Sequence, residues 1–148
     1  MHEGINTQFE YTTGPVIGST ITMVVLGLSV NFVLFRPGWL VPSALVAGAV
    51  ASLLSGYYQP SGNNALLGVL IGMTIISPVI AWARLSTLYG VTETWDLLFL
   101  ATGLAGGWLL LVFVVILPMT YIAAWVVDQL RKRLGWPIGY QIERSPRN

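Results

Sequence analysis

The sequence predicts an all-α membrane protein of four transmembrane helices in antiparallel hairpins, and three observations carry that expectation. The first is composition: 55% of the 148 residues are hydrophobic, mean hydropathy is +0.73 and only 9% are charged. A water-facing domain typically has about 25% charged residues. The second is length. Apolar runs of roughly 20 residues recur along the chain, and at about 1.5 Å rise per residue each spans the hydrocarbon of a bilayer. The third is that no Asp, Glu, Lys, Arg or His falls inside any of these runs. In hydrocarbon the backbone must satisfy its own N–H and C=O groups, so a run of this length is a helix. Barrel strands would need a polar/apolar alternation that is absent here.

Composition also narrows function. A chain of this length holds one bundle, with no room for a second, soluble domain. The net charge of +1 implies no nucleic-acid partner. With no cysteine, disulfides, thiolate catalysis and thiolate metal sites are excluded. The single histidine, His2, lies in the polar N-terminal segment, so no imidazole from this chain can ligate a haem within a span. No cofactor or metal is expected.

Residues 1–14 are polar and lack the basic start of a secretory signal, so they read as a short tail. Thr13 or Gly14 can cap the first span, and Pro15 suits the first helical position because its missing N–H would have no partner there. That span, residues 15–35, carries Ser19, Thr20, Thr22, Ser29 and Asn31. Hydroxyls can bond back to the i−4 carbonyl at little cost. Asn31 is the costliest neutral group, and it points to an interhelical hydrogen bond worth about 0.6–2 kcal/mol or to a water or ion path.

Arg36-Pro37-Gly38 is a tight turn into the second span, residues 39–58. Trp39 stands at one membrane interface, with Tyr57 and Tyr58 at the other. Pro42, in the first turn, does little harm. Ala44, Gly48, Ser52 and Gly56 recur every four residues and so line one face. A turn cluster of Pro60, Gly62, Asn63 and Asn64 follows, which neither helix is expected to absorb. The third span, residues 64–83, has Gly68 and Gly72 as a Gly-x-x-x-Gly pair. Such small residues let backbones approach closely. These stripes are expected to pack the second and third spans on each other; the alternative is a docking face for another chain. Pro78 should kink the third span, with Thr74 and Ser77 as nearby hydroxyls.

Residues 85–96 form the longest connection, with Glu93 and Asp96 near the start of the next helix, where acids complement its dipole. The same two acids could hold a cation or do acid/base work, but no histidine or third ligand is close in sequence. The fourth span, residues 97–127, exceeds one crossing and must tilt or project from the bilayer. Gly103, Gly106 and Gly107 form a close-approach patch within it, and Pro118 should bend it. Its helix extends to residue 134 through Asp128 and the basic cluster Arg131, Lys132 and Arg133. Asp128 is placed for a helix-surface ion pair with Arg131 or Lys132. Residues 135–148 are a tail in which Trp136 and Tyr140 suit headgroup level or a partner.

Four crossings put both termini on one side. That side carries Arg131, Lys132, Arg133, Arg144 and Arg147, and the other carries Arg36 and Arg84. The positive-inside rule therefore predicts cytoplasmic termini and topology anchors at Arg131, Lys132 and Arg133.

The run from Pro42 through Ser43, Ala44, Gly48, Ser52 and Gly56, a polar turn, and then Asn64 through Gly68 and Gly72 to Pro78, resembles an uncharacterised family of small haloarchaeal four-span membrane proteins. The likeness covers about a quarter of the chain and implies a fold without an activity.

A proton relay or ion-coupled carrier normally places an ionisable group inside a span, and none is present. No inverted repeat, H-E-x-x-H, G-x-S-x-G or phosphate-cradling loop occurs. The expectation is a non-enzymatic membrane protein, an accessory or structural subunit. Its glycine and tryptophan faces would pack against lipid and against other membrane chains or copies of itself. The alternative is a small homo-oligomeric channel or carrier lined by Asn31 and the hydroxyls of the first span.

Overall fold

A computed structural model describes residues 10–56, 60–85 and 93–135. Helix α1 (Thr13–Leu28) runs into a π-turn (Ser29–Val33), and a short 3-10 turn (Pro37–Trp39) leads into α2 (Leu40–Leu54). Then come α3 (Ser61–Leu85) and a long rod made of α4 (Thr94–Leu110), a π-turn (Leu111–Ile116) and α5 (Leu117–Leu134). No strand occurs among the described residues. Four helices are long and apolar enough to cross a membrane: Thr13–Val33, Pro37–Leu54, Ser61–Arg84 and Thr94–Leu134.

The core joins all of them. Met23 from α1, Ala44 from α2, Met73 and Ile76 from α3 and Ile116 from the second π-turn are sealed from solvent in one cluster. A smaller cluster of Ala51, Ala65 and Ala124 draws α2, α3 and α5 together at the other end. The outer surface is also apolar: Ile17, Ile21 and Val25 of α1, Trp82 of α3 and Phe113 and Trp125 of the rod are all exposed.

Several joints fall elsewhere than the sequence suggests. The third helix begins at Ser61 and takes Gly62, Asn63 and Asn64 into its first turn. The first turn tolerates them because its N–H groups have no partners within the helix in any case. Asn64 moreover spends its amide on two other segments, described below. Helix α2 ends early, at Leu54, where Ser55 turns extended (φ −74°, ψ 141°). Tyr57 and Tyr58, the expected interfacial pair, lie outside the described residues, as do Trp136 and Tyr140.

Pro118 was expected to bend the rod. The irregularity lies immediately before it, where the Leu117 N–H reaches five residues back to the Val112 carbonyl. Such a widened turn relieves the clash of a proline ring with the carbonyl four residues earlier. The first π-turn has the same geometry, Leu34 N–H to Ser29 O at 3.0 Å, and it leads to Phe35 at φ 52° where the chain reverses. The rod stops at Gly135, whose φ of 63° lets its N–H return to the Arg131 carbonyl.

Candidate functional site

Three features carry the polar and close-packed chemistry: glycine notches between helices, a polar clasp at one end, and an arm that stands away from the bundle.

The notches show which helix takes which face. A Cβ added at Gly48 of α2 would lie 2.5 Å from the Thr120 carbonyl oxygen of α5. At Gly68 of α3 it would lie 2.5 Å from Ser19 Cβ, and at Gly72 2.8 Å from Met23 Cβ, both on α1. The two stripes therefore meet α5 and α1, rather than meeting each other as the sequence suggested. Four-residue spacing defines a face but leaves open which neighbour occupies it. Gly27 of α1 is filled by Ile76 and Leu40, Gly18 by Leu54, and Gly62 by the Tyr121 ring. Ala44, Ser52 and Gly56 are buried on α2 and just beyond its end.

Alongside the Gly68 notch, Thr20 Oγ1 donates to Val16 O at 2.8 Å and to Gly68 O at 3.1 Å, so one hydroxyl joins α1 to α3. Of the other hydroxyls of the first span, Ser19 Oγ is buried with no hydrogen-bond partner, while Thr22 bonds Gly18 O and Ser29 bonds Val25 O on their own helix. Asn31, 5% exposed, does the same: its Nδ2 donates to Gly27 O at 2.8 Å, and its Oδ1 is buried with no hydrogen-bond partner. The interhelical bond expected of Asn31 is not made. On the third span Ser77 Oγ donates to Met73 O and accepts Trp108 Nε1–H at 2.8 Å, which pins the rod to α3.

In the clasp, the ion pairs of Asp128 with Arg131 and Lys132 are the ones expected from their spacing, but the burial of Arg131 and its reach to α2 were not foreseen. Arg131, read from the sequence as a surface anchor, is only 2% exposed. Its Nη1 donates to Ser52 O at 2.5 Å and to Leu53 O at 3.1 Å, while Nη2 stands 3.5 Å from Asp128 Oδ1. Asp128 Oδ2 pairs with Lys132 Nζ at 2.6 Å. The cause is the early end of α2. The Ser52 carbonyl accepts the Ser55 N–H at 3.2 Å and keeps a second lone pair, and these last carbonyls sit at the negative end of the helix dipole, where a forked cation on α5 adds its own donors. Lys132 and Arg133 remain exposed.

Beside the clasp, Asn64 closes the same end. Its Oδ1 accepts the Thr12 N–H at 2.6 Å and its Nδ2 donates to Ser55 Oγ at 2.9 Å, which in turn donates to Ala51 O at 2.7 Å. One buried amide thus ties the entry of α1 to the exit of α2. The Pro-Ser-Gly-Asn-Asn stretch that reads as a plain turn held the only sequence hint of it.

Gly103 and Gly107, expected in a packing face, have nothing within 4 Å of an added Cβ, and neither has Gly106. Every residue from 94 to 107 is exposed, with Trp95 at 81% and Phe99 at 79%. Trp108 is the first side chain of the rod to be half-buried. The arm's first turn holds Asp96, after Glu93 at the cap position, whose side chain makes no capping bond. Among the described residues no cluster of three His, Cys, Asp or Glu side chains could hold a metal.

No family model matches this chain, and no curated protein or solved structure matches it either.

Proposed function

We propose that this protein is a four-crossing integral membrane protein with a non-enzymatic role, an accessory or structural subunit that packs against other membrane chains or copies of itself. The observation that carries the reading is the arm of residues 94–107. It is apolar and exposed around its whole circumference, and its glycines are unfilled, whereas every glycine of α1–α3 beyond the first turn of α1 meets a neighbour. Glycine weakens a helix unless something approaches its backbone.

Antiparallel hairpins are supported by the order of contacts. Gly18 meets Leu54 and Gly27 meets Leu40, Ser55 bonds Asn64, and Gly62 meets Tyr121 while Ser77 bonds Trp108. Each pairing joins an early position on one helix to a late position on the next. On that arrangement Arg36, Arg84, Glu93 and Asp96 lie at one end, and Thr12, Asn64 and Arg131 at the other. A helix set apolar both inside and outside is what lipid contact selects. The excess of Lys and Arg at the Arg131 end supports cytoplasmic termini.

The hydroxyls and amide of the first span bond mostly to their own helix, which supports packing over a polar lining. The test is the native mass of the protein extracted in mild detergent from its source membrane. A defined complex is expected. A lone monomer would overturn the reading, and flux through reconstituted vesicles would favour the pore.

A further inference from the structure

The geometry points to a second copy of this chain as the occupant of the arm: two copies cross at Gly103 and Gly107, and the acidic tip of each arm lies against the basic end of the other's bundle. The inference rests on the packing-subunit reading and names its partner.

Three observations lead to it. The arm is unfilled on every side, and at Gly103, Gly106 and Gly107 another helix backbone could approach with nothing in its way. The rod that carries the arm is continuous. Leu110, Leu111, Ile116 and Leu117 all keep right-handed helical dihedrals across the π-turn. Folding the arm back onto its own bundle would break that helix, whereas a second copy reaches it without any change of backbone.

Charge then selects the partner. The tip carries Glu93 and Asp96, and neither forms an ion pair among the described residues. The bundle presents the opposite charge at the same end, Arg36 after α1 and Arg84 at the end of α3. Arg36 is exposed and likewise forms no ion pair there. Two arms lying side by side without crossing would bring four carboxylates together. Arms crossing at the Gly-x-x-x-Gly pair diverge beyond the crossing, each toward the other copy's bundle. Glu93 lies roughly 15–20 Å along the helix from the crossing, far enough to reach it. The interface is then isologous: the same arm and the same basic end serve both copies, and the assembly closes at two.

The test uses the full chain in lipid vesicles, with fluorophore-labelled copies mixed over a range of protein-to-lipid ratios. The wild type is expected to form a dimer. Gly103→Ile with Gly107→Ile should weaken it by about tenfold or more while the dilute monomer unfolds at no lower temperature than wild type, because both sites are open and isoleucine is the better helix former. Asp96→Arg should weaken the dimer about threefold, and adding Arg36→Asp should restore it. A dimer indifferent to the isoleucines, or a charge reversal that Arg36→Asp fails to rescue, would overturn the proposal. So would a protein that stays monomeric at every ratio. If such a monomer still joins a different chain in its source membrane and the isoleucines abolish that complex, the second copy is wrong and the packing-subunit reading stands.

Discussion

Arg131→Met is expected to be the most damaging single change at the clasp end. The guanidinium is buried and gives two bonds to the last carbonyls of α2, at 2.5 and 3.1 Å, with a weaker contact to Asp128 at 3.5 Å. A hydrogen bond from a charged group is worth about 1.5–3 kcal/mol, and a buried carbonyl left without its donor costs about 1–3 kcal/mol. Ordering the side chain and desolvating its charge offset part of the gain. The net loss is about 3 kcal/mol, roughly a hundredfold in the folding equilibrium. Removing a charge here also alters the topological bias, so Arg131→Lys is the companion variant. It keeps the charge and loses the fork, and it should cost about 2 kcal/mol because a point charge cannot serve both carbonyls and Asp128 together. Arg133→Met, at an exposed neighbour, should stay within about 0.5 kcal/mol of wild type. Reversible unfolding in mixed micelles, followed by far-UV circular dichroism, measures all three. If Arg131→Met and Arg133→Met unfold alike, the guanidinium does not hold the end of α2.

Gly48→Ala should destabilise the bundle by about 2 kcal/mol, because the new methyl meets a backbone carbonyl that no rotamer change can move aside. Gly106→Ala, in open space, should stabilise the monomer by up to about 1 kcal/mol, measured in the same unfolding assay. Asn64→Leu removes both amide bonds and should cost about 2 kcal/mol, with hydrogen exchange at Thr12 accelerating more than at mid-helix amides of α1. Asn31→Leu loses only a bond to its own helix and frees no buried partner on another, so stability should change by less than about 1 kcal/mol and the native assembly should keep its mass. A vesicle conductance abolished by that substitution would transfer support to the pore.

The helices themselves were legible, because long uncharged runs leave little alternative to a helix. Their ends were less so. Asn64 reads as a turn residue by type, yet its amide is bonded to Thr12 and Ser55, and neither partner is visible in a local window. Arg131 reads as a solvated anchor because cations usually are. Its burial follows from α2 stopping at Leu54, far away in the chain, which turns the last carbonyls and the negative end of the helix dipole toward α5. The small-residue faces of α2 and α3 were visible, but their partners were not. Periodicity orders residues around one helix, and only the assembled bundle decides that Thr120 faces Gly48 and Ser19 faces Gly68. The open patch at Gly103 and Gly107 looks the same in sequence as the filled ones.

The seating of α1 against α3 has a consequence for synthesis at the membrane. Ser19 and Met23 fill notches at Gly68 and Gly72, about fifty residues later in the chain. At about 5–20 residues per second, the first span of the proposed topology waits roughly 3–10 s in the bilayer before its groove exists. During that interval its polar groups need partners that do not depend on α3. Thr20, Thr22, Ser29 and the Asn31 amide each have one in a carbonyl of the preceding turn. Only the shared Thr20 bond to Gly68 is added once the groove arrives. Apart from Ser19 Oγ and Asn31 Oδ1, which find no partner in the packed bundle either, the first span thus has its polar side chains bonded before it is packed, and nascent chains stalled short of Gly72 should already hold it stably inserted.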